Sequence, residues 1–163
     1  MTTQTKNLND LFMHQLKDLY FAEQLILKTL PKLVKAAKDS KLKAALEAHH
    51  GETATHVSRL EKVFELLGKK PVSVPCEAIK GILKEGDEVG EEFGDSPVGD
   101  AGLIASCQAV EHYEITRYGT LRVWAEELNL TEVSRILSQT LKEEYAADDK
   151  MTAIATSKVN LAA

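Results

Sequence analysis

Apolar residues recur three and four positions apart in four long segments of the chain, the spacing of one face of an α-helix. The first segment, about 7–38, sets Leu16, Leu19, Ile26, Leu30 and Leu33 on one stripe, with Asn9 or Asp10 as its candidate cap. Pro31 lies inside that pattern, and its missing N–H predicts a kink there. The second, about 40–67, carries Leu42, Leu46, Leu60, Val63 and Leu67, and Gly68 with Pro71 should stop it. The third, about 98–127, carries Ile104, Cys107, Tyr118, Leu121 and Ala125. The fourth, about 131–157, carries Leu137, Leu141, Met151 and Ala155, with Thr131 as candidate cap and Glu132 in its first turn. Few residues separate first from second and third from fourth, so each pair predicts an antiparallel hairpin. Roughly thirty residues join the hairpins, and "CEAIKGILKEGDEVGEEF" at 76–93 reads as a shorter helix. A helix of about 28 residues is about 42 Å long. A mostly helical return of that reach lets the third segment run parallel to the second. The pattern predicts one all-α domain over 1–163, a four-helix bundle of two antiparallel hairpins with a long, partly helical crossover.

Each stripe is broken near its middle by ionisable residues. The first reads Leu16, Leu19, Glu23, Ile26, Leu30; the second Leu42, Ala45, His49, Glu52, His56, Val63. The third reads Ile104, Cys107, Glu111, Glu114, Tyr118, Leu121; the fourth Leu137, Leu141, Glu144, Asp148, Met151, Ala155. Residues three or four apart share a helix face, so Glu52 with His56, Glu111 with Glu114, and Glu144 with Asp148 can each converge. Taken alone, any one of these glutamates reads as the solvated edge of an approximate face, and either histidine as a hydrogen-bonded core residue. Four helices interrupted at compatible heights are much harder to explain that way. Glu23, Glu52, Glu111, Glu114, Glu144 and Asp148 would together bring six negative charges into one layer. Burying even one unpaired carboxylate costs several kcal/mol, and no Lys or Arg shares the central turns of these stripes. Two divalent cations would offset the charge, and carboxylate oxygen with imidazole nitrogen suits iron or manganese. Tyr20 and Tyr118 lie about one turn from Glu23 and Glu114, where they could hydrogen-bond ligands or pack as core aromatics.

Composition narrows the remaining classes. The formal charge of −5, with no basic tail or stripe, argues against a nucleic-acid partner. No window reaches the length of a membrane span, and "MTTQTKNLND" lacks the apolar run of a signal peptide. Two cysteines without a CxxC, Cys76 and Cys107, fit a reduced, cytoplasmic setting, with Cys107 on an apolar face as core. No Ser/His/Asp or Cys/His set converges on one site, and "GILKEG" and "GDSPVGDAG" lack the spacing of a phosphate loop.

"FMHQLKDLYFAEQLILKTLPKL", "AHHGETATHVSRLE", "VEHYEITRYGTLRVWAEEL" and "LKEEYAADDKMTAIA" resemble the YciE/YciF family of stress-associated, ferritin-like bacterial proteins, nearer its YciF branch, over about 7–158. Of these, "EHYEITRYGTL" is the most specific. One long crossover between two hairpins is also the connectivity of ferritin-like bundles. The resemblance implies a helical bundle, a homodimer, and a two-metal centre. A more distant similarity is to rubrerythrin and manganese catalase. Carried onto this chain, it makes Glu23 the first-helix ligand, Glu52 and Glu144 the bridging glutamates, and Glu111 and Glu114 the paired glutamates of the third long helix. The chain departs from the usual Glu-x-x-His on two helices: it has Glu52-x-x-x-His56 and Glu144-x-x-x-Asp148. His49, three residues before Glu52, is the alternative nitrogen ligand to His56.

The leading expectation is therefore a protein with two iron or manganese ions that reacts with peroxide or dioxygen. Glu23, Glu52, His56, Glu111, Glu114, Glu144 and Asp148 would hold the metal, with His49, Tyr20 and Tyr118 outside them or in reserve. The alternative is a non-enzymatic stress protein with a structural or vestigial metal site. Iron storage would require a large cage.

Overall fold

The computed structural model describes residues 5–160, and regular structure among them is wholly helical. Five α-helices follow in order: α1 Leu8–Ala36, α2 Ser40–Leu66, α3 Glu77–Phe93, α4 Gly99–Glu127 and α5 Thr131–Ile154, the last continuing into a π-helical turn, Ala155–Val159. None of the described helices is long and apolar enough to cross a membrane.

Local chemistry sets the helix ends. The cap of α1 is Asn7, ahead of both expected candidates, Asn9 and Asp10. Asn7 Oδ1 accepts the Asp10 N–H at 3.1 Å, and the Asp10 carboxylate accepts the Asn7 N–H at 2.9 Å, a reciprocal capping box. α1 runs through Pro31 as one uninterrupted helix, held by the buried Ile26 and Leu30 ahead of it. α2 stops where expected. Gly68 adopts φ 65°, its N–H donates to the Glu65 carbonyl at 2.9 Å, and the Lys69 N–H donates to the Phe64 carbonyl at 2.9 Å. α4 ends on the same motif with Asn129 at φ 58° in place of glycine. That turn delivers Leu130, not Thr131, to the cap position of α5; Leu130 caps through its carbonyl, which accepts the Ser134 N–H at 2.9 Å.

The four long helices form a closed ring in which α1 packs on α2, α2 on α5, α5 on α4 and α4 on α1. Short links make α1–α2 and α4–α5 antiparallel hairpins. Asp100 at the start of α4 accepts the N–H groups of Lys38 and Asp39 at the start of α2, so α2 and α4 begin at the same end and run parallel. The crossover makes this possible: α3 returns along the bundle against α4, with its edge on α1.

The core is in two pieces. One apolar cluster centres on Phe12, Leu16, Leu60, Phe64, Tyr118 and Leu137. The other centres on Ile26, Leu42, Leu46, Ile79, Ile104 and Met151. Cys107 is buried in the second cluster, as expected of a core cysteine. What separates the clusters is a polar layer.

Candidate metal centre

Each long helix contributes to that layer. Glu23 comes from α1, His49, Thr53 and His56 from α2, Glu111 and Glu114 from α4, and Thr140 and Glu144 from α5; all are buried. Apolar turns above and below fix their height, because neither cluster can be withdrawn from the core without exposing it. On α2 the buried positions run 49, 53, 56, 60, 63 in steps of four and three, the rhythm of a single inward stripe.

Two groups of ligand-type atoms converge. His49, Glu111, Glu114 and Glu144 form one, and Glu23, His56 and Glu144 form the other, with the atoms of each group within 4.8 Å of one another. Glu144 belongs to both. His49 Nε2 lies 3.1 Å from Glu111 Oε1, and His56 Nδ1 lies 2.8 Å from Glu144 Oε1 and 3.5 Å from Glu23 Oε1. Yet His49 Nε2, His56 Nδ1, one oxygen of Glu23, one of Glu111, and both of Glu114 and of Glu144 have no partner in hydrogen-bonding geometry. Close approach without hydrogen-bond alignment is the arrangement of donor atoms aimed at a common point. Unpartnered buried polar atoms are expensive, and eight of the ten among the described residues belong to these six side chains, the others being Gln15 Oε1 and Arg117 Nε.

The electrostatics show what the layer costs without a cation. Burial, followed by the charges of Glu144, Glu23 and Glu111, pushes the Glu114 carboxyl far above its ordinary range. Burial pushes Glu111 up as well, against the opposing pull of His49, and Glu144 is raised by burial against the pull of His56. Burial alone would lower His56, but the close carboxylates of Glu144 and Glu23 raise it to about 11. The metal-free layer thus stores protons that a metal would displace.

A second set of residues holds the histidines from outside. His56 Nε2 faces Glu143 Oε2 at 2.8 Å, and Arg59 grips the Glu143 carboxylate with two N–H groups at 2.6 and 2.9 Å. A proton on His56 Nε2 leaves Nδ1 free to accept a metal, the role carboxylates commonly play behind ligand histidines. His49 Nδ1 faces Glu52 Oε2 at 3.4 Å, which turns its Nε2 inward toward Glu111. Tyr118 donates its hydroxyl to Glu23 Oε1.

Three placements differ from the sequence expectation. The Glu52 side chain is 48 % exposed and lies outside both groups; the inward position one residue on belongs to Thr53. A one-residue step turns a helix by about 100°, enough to move Glu52 from the layer to the groove beside it. Asp148 likewise sits at the edge of α5, accepting from Gln108 at 3.0 Å and paired with His112 at 3.0 Å, while Ala147 occupies the inward position. Tyr20 points away, donating its hydroxyl to Glu61 at 2.9 Å and packing edge-on to Phe64. Glu23, His49, His56, Glu111, Glu114 and Glu144 share the layer. Both histidines reach it, so they are not alternatives. Thr53 and Ala147 therefore stand where a Glu-x-x-His pair on α2 and another on α5 would place a glutamate and a histidine.

Comparison with known proteins gives the family of the chain. A family model described as a domain of unknown function, DUF892, matches residues 7–163. The chain belongs to the DUF892 family. Among curated proteins, this DUF892 chain is similar to Protein YciF of Escherichia coli K12, with 40% identity over 156 residues, covering 95% of this chain and 94% of YciF. Its structure superposes on the crystal structure of the E. coli stress protein YciF with a TM-score of 0.90 at 40% identity, covering 96% of this chain and 99% of that one. YcfI of Rhodopseudomonas palustris is similar too, with a TM-score of 0.89 at 45% identity over 93% of this chain and 97% of its own. A protein of Xanthomonas campestris pv. campestris shares the fold at 19% identity, with a TM-score of 0.76.

Proposed function

We propose that this DUF892 protein binds two divalent iron or manganese ions in the buried layer and reacts there with peroxide or dioxygen. The observation that carries the proposal is the cluster of unpartnered ligand atoms on Glu23, His49, His56, Glu111, Glu114 and Glu144. Charge bookkeeping agrees: the four carboxylates of the two groups carry four negative charges, which two divalent cations neutralise with both imidazoles uncharged. Glu144, common to the groups, would be the shared ligand. His49, Glu111 and Glu114 would complete one position, and Glu23 and His56 the other. When bound, iron or manganese supplies reversible electron transfer to oxygen species. The protein excludes bulk water with the two apolar clusters, and Glu143 with Arg59 sets the tautomer of His56. Tyr118 holds Glu23 and can return a proton to that carboxylate. The ferritin-like connectivity of two hairpins and one crossover supports the same reading.

The absence of a glutamate at Thr53 and of a histidine at Ala147 favours a second reading, in which the metals are structural and no turnover occurs. One experiment separates them. Untagged protein loaded anaerobically with Fe(II) and desalted should retain about two metals per chain by elemental analysis, and should consume peroxide faster than the metal-free protein. Two retained metals with peroxide loss equal to the metal-free control would establish the structural reading. A Glu144→Ala variant with full metal content would remove the centre described here.

A further inference from the structure

Outside the polar layer, Tyr113 joins three helices where the crossover meets the bundle. Its hydroxyl donates to Asp18 Oδ2 on α1 at 2.9 Å and lies 3.0 Å from Sγ of Cys76, the residue that caps α3. A phenol has one hydrogen to give. Asp18 receives it, so the hydrogen between Cys76 and Tyr113 is the thiol's, and the S–H bond points at the phenol oxygen. The sulfur in turn accepts the Ile79 N–H at 3.4 Å, which holds the thiol in place. The Arg117 guanidinium sits over the Tyr113 ring, 5.2 Å from its centre.

These neighbours decide how the pair meets an oxidant. Cys76 is 1 % exposed, so peroxide in solution has no direct path to the sulfur, and the usual ladder through sulfenic acid starts slowly. Loss of an electron from Tyr113 meets no such barrier. Tyr113 is half-buried and stands one peptide unit from Glu114 in the polar layer. Positive charge over the ring disfavours a ring cation, so the phenolic proton leaves with the electron, and Asp18 is in place to take it. The neutral radical carries its unpaired electron on the oxygen and on the ring carbons beside it, and the thiol lies against that end of the ring.

We propose that Cys76 and Tyr113 form an oxidative modification site, in which one-electron oxidation of Tyr113 leads to a thioether between Cys76 Sγ and a ring Cε of Tyr113. The S–H and Cε–H bonds break and the S–Cε bond forms, releasing two electrons and two protons. With peroxide as the oxidant, cleavage of its O–O bond takes up both and yields two waters. Asp18 keeps the phenolic proton during the step and returns it as the ring regains aromaticity. The proposal rests on the metal reading above for the source of oxidising equivalents alone, which is the layer beside Tyr113. The product would staple the start of α3 to α4, next to the point where the Val74 N–H donates to the Lys17 carbonyl at 3.2 Å. Cys107 is the internal control: it is buried too, but makes no hydrogen bond to a tyrosine among the described residues.

Two oxidations of the full chain test this. In one, metal-free protein is treated with tris(bipyridyl)ruthenium(II), persulfate and light, which removes single electrons from tyrosine. In the other, protein loaded with Fe(II) is given peroxide. Both should yield a species lighter by two hydrogen atoms, with one alkylatable thiol after denaturation in place of two. A digest should contain a peptide joining Cys76 to Tyr113 that dithiothreitol does not separate. Tyr113→Phe keeps the ring packing and should abolish the link, and Asp18→Asn should slow its formation severalfold. Linked protein should melt several degrees higher, as a cross-link constrains the unfolded chain. Should the phenylalanine variant fold poorly, the wild-type digest still decides. Illuminated wild-type protein in which Cys76 stays a thiol, or becomes a sulfur acid with Tyr113 unlinked, would overturn the site. Linkage under light but not with peroxide, in protein that retains two irons, would overturn the layer as its source of oxidant. Linkage under light in protein that retains no iron would overturn the metal reading and leave the site standing.

Discussion

His49 and His56 stand two turns apart on one helix, their ring centroids 6.3 Å apart, and they are held in different ways. His56 is fully enclosed, its outer nitrogen 2.8 Å from a carboxylate that Arg59 clamps on both oxygens. His49 has a looser partner, Glu52 at 3.4 Å, with no arginine behind it and a groove alongside. The His56 half is preorganised by a three-residue chain, whereas the His49 half is adjustable and open on one flank. A two-metal site built this way would keep one ion tightly and leave the other accessible. Chemistry and metal exchange would then concentrate on the His49 side.

Removing what the halves share should have the largest effect. Glu144→Ala deletes a member of both groups, and metal retained after desalting should fall from about two per chain to below one. Loss of only one ion, with the second bound as tightly as before, would show that the halves are independent and Glu144 is not common to them. Next in size is the contrast between outer partners. Glu143→Ala should weaken the tighter of two metal affinities by about 10–100-fold, the usual consequence of losing a carboxylate behind a ligand histidine. Glu52→Ala, which loses a longer and half-exposed contact, should weaken the other affinity by about tenfold or less, as read by competitive titration with a chelator. Equal losses from the two variants would erase the distinction drawn here.

Glu114 sharpens the comparison between metal-free and loaded protein. Its two oxygens are buried without partners, so Glu114→Leu should stabilise the metal-free protein by about 1–3 kcal/mol while lowering metal content. Thermal melts of both forms would show the opposed signs. The dependence on pH should be opposed as well. His56, raised to about 11 from an ordinary 6.5, binds a proton in the folded state that the unfolded chain has released. The stability it contributes is complete below about 6.5 and is lost as pH climbs toward 11. Glu111, raised by burial, acts in the same direction, because the folded protein keeps its proton longer than the unfolded chain does. Metal-free protein should therefore melt at lower temperature as pH rises from 6 to 9. Metal must displace these protons, so metal affinity should rise over the same interval. The gap between loaded and metal-free melting temperatures should widen, and a constant gap would mean that metal does not compete for these protons. The smallest effect belongs to Tyr118→Phe. Losing the hydroxyl that holds Glu23 should weaken the His56-side metal by a few-fold.

Much of the molecule was readable from its residues. The four rods and the returning α3 followed from the spacing of Leu and Ile, and Gly68 marked its helix end because a left-handed backbone costs glycine least. The polar layer was visible in Glu23, His49, His56, Glu111, Glu114 and Glu144, since each breaks an otherwise apolar stripe. Thr53 was harder to see. A small polar residue breaks a pattern less visibly than a glutamate, and the neighbouring Glu52 drew the assignment one residue off, although the run 49, 53, 56, 60 marks the inward face. Asp148 displaced Ala147 in the same way. Glu143 and Arg59 left no trace at all: charged residues on a half-exposed face are ordinary, and only the fold brings residue 143 to residue 59. Tyr20 shows that a position can be legible while the direction of its hydroxyl is not.

The central claim is that two cations, joined through one glutamate, hold the buried layer together. Anomalous diffraction from crystals loaded with Mn(II) tests it most directly. The account predicts two peaks per chain, both touching Glu144, one beside His49 and the other beside His56 Nδ1. Full occupancy elsewhere on the surface, with no peak between the two apolar clusters, would contradict it.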